Sequence, residues 1–241
     1  SPDGGNPVVV LIHGGPEAQE RPVFNSIYQY LVRQGLCVLA PNVRGSAGYG
    51  RTYIHLDDVR KRMDSVHDIE YAWKWLVDSG WADSDRMGVM GGSYGGYMTN
   101  WLTATTNRFA AAVTSRSITN WESWYGSTDV QSLTEFEFGG TPWEQRELYR
   151  RLSPISYVEN VTAPTLIIHG ENDYRTPIGD GEQWFMALEK RGIPTELVRY
   201  PRSSHGLSRS GEPWLLVDRL ERIRSWFTHW LIDKPGDQAS R

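Results

Sequence analysis

The chain has 241 residues, enough for one large domain or a compact pair, and 39% of them are apolar, so a sizeable core can form. A formal net charge of −4, with acids and bases interleaved, offers no basic surface for nucleic acid or for an anionic membrane. No apolar stretch approaches the ~20 residues that a spanning helix needs, and a single cysteine, Cys37, excludes an intrachain disulfide and fits a reducing, cytoplasmic setting.

Residues 1–7, Ser1-Pro2-Asp3-Gly4-Gly5-Asn6-Pro7, carry no initiator Met and no signal peptide. They read as a surface linker, and the chain is expected to be a piece of a longer protein. Val8-Val9-Val10-Leu11-Ile12 is a β-branched run ending before Gly14-Gly15, hence a buried strand followed by a tight loop. Phe24, Ile27, Tyr28 and Leu31 fall on one face of a helix that ends near Gly35. Leu36-Cys37-Val38-Leu39-Ala40 is the next strand, closed by Pro41, with Cys37 as a buried small hydrophobe. Asp64 and Ser65 are caps for a helix whose inner face holds Ile69, Ala72, Trp73 and Leu76. A short strand, residues 86–90, runs into Gly91-Gly92-Ser93-Tyr94-Gly95-Gly96, and residues 97–105 read as helix.

Residues 109–114 are another strand, after which residues 117–150 lose all period and are expected to form a cap or lid rich in aromatic side chains. Pro164-Thr165-Leu166-Ile167-Ile168-His169 restores the rhythm as a strand. Thr176-Pro177 then opens a helix with Pro at its first position. Residues 196–200 are a strand, and Leu216, Leu220, Ile223, Phe227 and Trp230 line one side of a last helix. Short apolar runs alternating with helical patterns predict βαβ units, and so a mostly parallel central sheet with helices on both faces.

Gly91-x-Ser93-x-Gly95 lies between a predicted strand and a predicted helix, the setting of a nucleophile elbow and of the α/β-hydrolase fold. Such a turn lifts the serine oxygen clear of the sheet, and the flanking glycines permit the strained backbone. A serine hydroxyl needs a base, and the base needs an orienting carboxylate. Asp173 follows the strand ending at His169, with Glu171 the other carboxylate in that loop, and His205 follows the strand ending at Tyr200. That is the chain order Ser, acid, His of this fold. His13 and His169 close strands and read as structural, while His55, His67 and His229 lie in helical or solvated stretches. None has partners at metal-ligand spacing, so no metal or other cofactor is expected. The oxyanion hole is assigned to the amide of Tyr94, which follows the nucleophile, and to the amide of Gly15 in His13-Gly14-Gly15-Pro16.

Five motifs then occur in order: His13-Gly14-Gly15-Pro16, Asn42-Val43-Arg44-Gly45-Ser46-Ala47-Gly48-Tyr49-Gly50, Gly91-Gly92-Ser93-Tyr94-Gly95-Gly96-Tyr97, Gly170-Glu171-Asn172-Asp173-Tyr174-Arg175-Thr176-Pro177 and Ser203-Ser204-His205-Gly206. Together they resemble the catalytic domain of the prolyl oligopeptidase family of serine peptidases, and most of all its acylaminoacyl peptidase branch. The resemblance implies that residues 1–241 form one α/β-hydrolase catalytic domain, whose partner is an N-terminal β-propeller of the same protein. It implies acylation of Ser93 by a short peptide or an N-acylated amino acid, with His205 as base and then acid. It also implies that Arg175 binds the carbonyl or acyl group before the cleaved bond, a role chemically suited to a guanidinium. A salt bridge to Glu171 or Asp180 is the structural alternative for that side chain. Trp121, Trp124 and Tyr125 stand where such enzymes build the pocket for the side chain before the cut. Arg44 is expected to hold its glycine-rich loop by hydrogen bonds to carbonyls.

The same triad would serve a carboxylesterase, and a silent hydrolase-fold module is the reading from another class. Intact Ser93, Asp173 and His205 favour chemistry over silence. A homo-oligomer is compatible with everything above; no nucleic-acid or membrane partner is expected.

Overall fold

The structure is a computed structural model that describes residues 4–58 and 61–233. Six parallel strands form one sheet: β1 (Asn6–Ile12), β2 (Cys37–Leu39), β3 (Ala82–Gly92), β4 (Ala111–Ser115), β5 (Thr165–Gly170) and β6 (Thr195–Tyr200). Their spatial order is β2-β1-β3-β4-β5-β6, so the chain reverses its direction of travel across the sheet between β1 and β3. Open α/β sheets bind ligands beyond the carboxyl ends of the strands at such a reversal.

Period-two alternation sorts the strand side chains onto two cores. Val8, Val10 and Ile12 pack with Val89 and Ala112 beneath α3 (Asp64–Asp78) and α4 (Tyr94–Thr105). Val9, Met90, Val113, Leu166 and Ile168 face the other way, onto α1 (Ser26–Val32) and α9 (Pro213–Phe227). A smaller cluster joins Ile167 and Leu197 to Trp184 and Leu188 of α8 (Ile178–Lys190). Between β4 and β5 the chain builds α5 (Trp121–Ser127), α6 (Ser132–Phe138), α7 (Arg146–Arg151) and the 3₁₀ turn Pro154–Asn160. This is the aperiodic stretch expected to be a lid. A four-residue helix, α2 (Arg51–Ile54), precedes α3.

Helix starts and faces differ from the sequence reading in instructive ways. Asn25 caps α1 by accepting the Ile27 amide, so Phe24 lies before the helix and is 82% exposed. Met63 occupies the cap position of α3 without a side-chain bond, because Ser65 Oγ donates to the Arg62 carbonyl instead. Pro177 is itself the cap residue of α8, one position earlier than its expected place. The buried stripe of α9 runs Leu215, Arg219, Ile223 and Phe227, while Leu216 and Leu220 are only partly covered. Cys37 is likewise partly covered, packed against the core rather than fully inside it. Arg44 bonds carboxylates, not carbonyls, with Nη2 2.7 Å from Asp68 Oδ1 and Nη1 3.5 Å from Asp64 Oδ2.

Candidate active site

β3 ends at Gly92 and α4 begins at Tyr94, so Ser93 alone makes the turn, at φ 60 and ψ −124. L side chains rarely adopt that backbone. A Cβ on Gly91 would run into the Gly95 carbonyl, and one on Gly95 into the Ile12 carbonyl. Glycine at both positions is what lets β3, α4 and the end of β1 close so tightly. Since β1 and β3 are neighbours, with Ile12 opposite Gly91, the His13-Gly14-Gly15-Pro16 loop is carried to the face of Ser93. Gly15 there has φ 126 and precedes a cis Gly15-Pro16 bond.

The loops after β5 and β6 deliver the other two residues. His205 Nε2 is 3.0 Å from Ser93 Oγ, and His205 Nδ1 is 2.8 Å from Asp173 Oδ2 and 3.1 Å from Oδ1. An ionised carboxylate only accepts, so Nδ1 carries the ring proton and Nε2 is left to accept from the Ser93 hydroxyl. Burial alone would raise the Asp173 carboxyl. The His205 ring and the Thr176 amide outweigh it and hold the group below the ordinary carboxylate value. The amides of Arg175 and Thr176 donate to Asp173 Oδ1 at 3.0 and 2.9 Å. Thr176 Oγ1 lies 3.1 Å from Asp173 Oδ2 and 3.2 Å from His205 Nδ1.

Ser93 and His205 open onto a cavity of about 450 Å³, into which Gly15 and Tyr94 also face. Its far wall is apolar: Trp121, Trp124 and Phe138 line it, with Trp121 edge-on to both other rings at 5.2 Å. The lid is tied to the Asp173 loop, since Trp124 Nε1 and Thr128 Oγ1 both donate to the Arg175 carbonyl, at 2.9 and 2.8 Å. Tyr125 does not line the cavity; its hydroxyl donates to Glu135 at 2.7 Å and its ring packs on Trp143 and Tyr149. It falls on the outer side of α5, away from the two tryptophans. Arg175 lines the cavity half-exposed, and its ion pair is with Asp129, at 2.6 Å, rather than with Glu171 or Asp180. Glu171 pairs with Arg199 instead, and Asp180 accepts the amides of Thr119 and Asn120. His13 Nε2 lies 2.9 Å from Ser46 Oγ, and His169 Nε2 bonds the Thr176 carbonyl at 2.6 Å, both structural contacts.

The family model described as the prolyl oligopeptidase family matches residues 22–234. The chain belongs to the prolyl oligopeptidase family. It is similar to the uncharacterized peptidase YuxL of Bacillus subtilis strain 168, at 40% identity over 93% of this chain and 35% of that protein. It is similar also to the acylamino-acid-releasing enzyme of Arabidopsis thaliana, at 30% identity over 93% of this chain and 30% of that one. A solved acylaminoacyl peptidase in complex with Z-Gly-Gly-Phe-chloromethyl ketone superposes with a TM-score of 0.90 at 30% identity. That match covers 96% of this chain and 38% of the solved one. The chain thus spans about a third of the length of these curated relatives.

For this member of the prolyl oligopeptidase family, the site also contains residues that sequence reasoning missed. Arg62, 3% exposed, lies beneath the cavity and pairs with Asp57 at 2.7 Å and with Glu137. Its Nη1 donates to the Tyr94 hydroxyl at 3.2 Å, fixing the ring that follows Ser93. Burial raises the Asp57 carboxyl, and Arg62 opposes that rise. Nothing in a one-dimensional pattern shows that these charges, brought from the connection before α3 and from α6, will be buried together. Thr176 and Phe138 were missed for the same reason: only the folded loops carry them to the cavity.

Proposed function

We propose that the chain is the catalytic unit of a serine peptidase that cleaves short peptides or N-acylated amino acids through an acyl-enzyme on Ser93. The observation that carries this reading is the chain of contacts from Ser93 Oγ to His205 Nε2 and from His205 Nδ1 to buried Asp173. Ser93 Oγ attacks the carbonyl carbon as His205 Nε2 takes its proton, and Asp173 stabilises the imidazolium that forms. The amides of Gly15 and Tyr94 are the donors for the oxyanion. Protonated His205 then gives its proton to the leaving amine, and water admitted to the same place hydrolyses the ester by the reverse proton movements.

Trp121, Trp124 and Phe138 suit a large apolar side chain before the cleaved bond, and Arg175 stands at the cavity where a guanidinium can meet the carbonyl on its N-terminal side. That the solved acylaminoacyl peptidase was captured with a chloromethyl ketone built on Z-Gly-Gly-Phe supports the same class of substrate. The β-propeller that the family resemblance implies would restrict substrate length in the whole protein.

The test compares an N-acetyl-phenylalanine anilide with a p-nitrophenyl ester on the full-length protein. Turnover of both, lost together in Ser93→Ala, is expected. Ester cleavage without amide cleavage would replace this reading with a carboxylesterase, and neither activity in a folded sample would replace it with a silent module.

A further inference from the structure

Behind the elbow, on the side away from the tryptophans, lies a second cavity of about 410 Å³ that shares Gly14, Ala18, Arg116 and Arg209 with the first. Three arginines line it: Arg116 from the loop after β4, Arg209 from the loop after His205, and Arg219 from the inner face of α9. The Arg116 guanidinium rests against the elbow itself, where a Cβ on Gly92 would lie 3.0 Å from its Cζ. Arg219 is 8% exposed, and the buried Nε atoms of Arg116 and Arg219 have no hydrogen-bond partner. Among the described residues none of the three forms an ion pair, and Glu20 is the one carboxylate of the lining.

A guanidinium does not discharge itself, so burying one without a partner is unfavourable, and massing three adds repulsion. Burial, then the charges of Arg209 and Arg219, push Arg116 down to about 10, which leaves it cationic at neutral pH. Burial lowers Arg219 as well. Packing does not call for this arrangement: an apolar side chain at position 219 would continue the stripe between Leu215 and Ile223. Guanidinium forks do match the oxygens of a carboxylate or a phosphate.

We infer that the cavity between Arg116, Arg209 and Arg219 is an oxyanion-binding site adjoining the catalytic cavity. Two sources carry that chemistry. One is free inorganic phosphate; the other is the terminal carboxylate of a peptide whose leaving half extends past His205 toward Arg209. The second source rests on the peptidase reading, and the first does not.

Thermal unfolding of the full-length protein is followed as sodium phosphate rises, against sodium chloride of equal ionic strength. Peptides that share one cleaved bond, ending in a free carboxylate or in a carboxamide, are compared in turnover. If phosphate is the occupant, Tm rises saturably in phosphate alone, the two peptides have equal KM, and Arg219→Gln weakens phosphate about tenfold, the loss of one charge-assisted hydrogen bond. If the peptide carboxylate is the occupant, the acid peptide has a KM about tenfold below that of the amide, phosphate competes with it, and Arg219→Gln erases the difference. Coincident Tm curves together with equal KM values would overturn the site. Arg219→Met in phosphate-free buffer is an independent check: removing an uncompensated charge leaves the protein at least as stable. A large fall in Tm there would mean that the charge is already satisfied within the chain, for instance by Glu20, and would overturn the site too. The unfolding arm needs no turnover, so its failure and a failure of the peptidase reading are read separately.

Discussion

Ser93 carries a strained backbone and a proposed chemical role, and substitution separates them. Ser93→Ala keeps φ 60 for a residue with a Cβ, so it is expected to lose acylation while retaining the wild-type unfolding midpoint. Ser93→Gly relieves the strain, and should exceed the alanine variant by about 1 kcal/mol in urea unfolding, the strain gain being partly offset by glycine's chain entropy. Equal midpoints would mean that the turn is unstrained. Thr176 touches both Asp173 and His205, so Thr176→Val should lower kcat about tenfold and leave KM unchanged, as expected for a group that positions the base. A change confined to KM would place it with substrate binding instead. Ser93, Asp173 and His205 were legible in the sequence because each follows a strand in a short loop, and the Ser93 loop is framed by glycines. Thr176 was not, because its hydroxyl reaches the site only when Asp173-Tyr174-Arg175 turns back on itself. Tyr125 misled for a related reason: its neighbour Trp124 faces the cavity, and one step along a helix turns the next side chain away.

At the scale of elements, α8 holds the lid in place through Gln183, which bonds Asn120 and Ser123, and through the carboxyl of Asp180. Asp180 Oδ1 accepts the Thr119 and Asn120 amides at 2.7 and 2.9 Å, just where the chain enters α5. Burial raises this carboxyl from 3.8 to about 7 against those two bonds. The folded state therefore keeps a proton that the unfolded state releases, and stability falls as pH rises between about 4 and 7, then levels off. Asp180→Asn retains an oxygen acceptor without the ionisation, so that decline should vanish from urea midpoints measured across the window. A decline of undiminished slope in the variant would show that other groups cause it. The elements themselves were read well where the apolar pattern is unbroken, as in β1, apolar on both faces, or α3, apolar on one. Only the first half of α9 was read one position off, because Arg219 occupies its buried stripe and a charged residue in that row pulled the pattern toward Leu216 and Leu220; Ile223 and Phe227 are buried as expected. The lid helices were invisible because their aromatic side chains divide between a cavity wall and an outer packing layer, which erases a single 3.6-residue period.

Across the whole molecule, one parallel sheet sets the loops after β1, β3, β5 and β6 at a common edge, and both cores support that edge. The parallel class was legible from alternating strands and helices; the order β2-β1-β3-β4-β5-β6 was not, since pairing depends on contacts far apart in the chain. Phe227 shows how the second core bears on the site: it is fully buried in the space that Gly88, four residues before the end of β3, leaves open. Phe227→Ala should cost about 3–5 kcal/mol in urea unfolding. A cost under 1 kcal/mol would mean that α9 is peripheral to the sheet. The central claim, that Ser93 is the nucleophile activated by His205, is tested most directly by treating the full-length protein with a fluorophosphonate and mapping the adduct by mass spectrometry. The account predicts one adduct, on Ser93, lost in Ser93→Ala and strongly slowed in His205→Ala. An adduct on another residue, or none on a folded and undenatured sample, would contradict it.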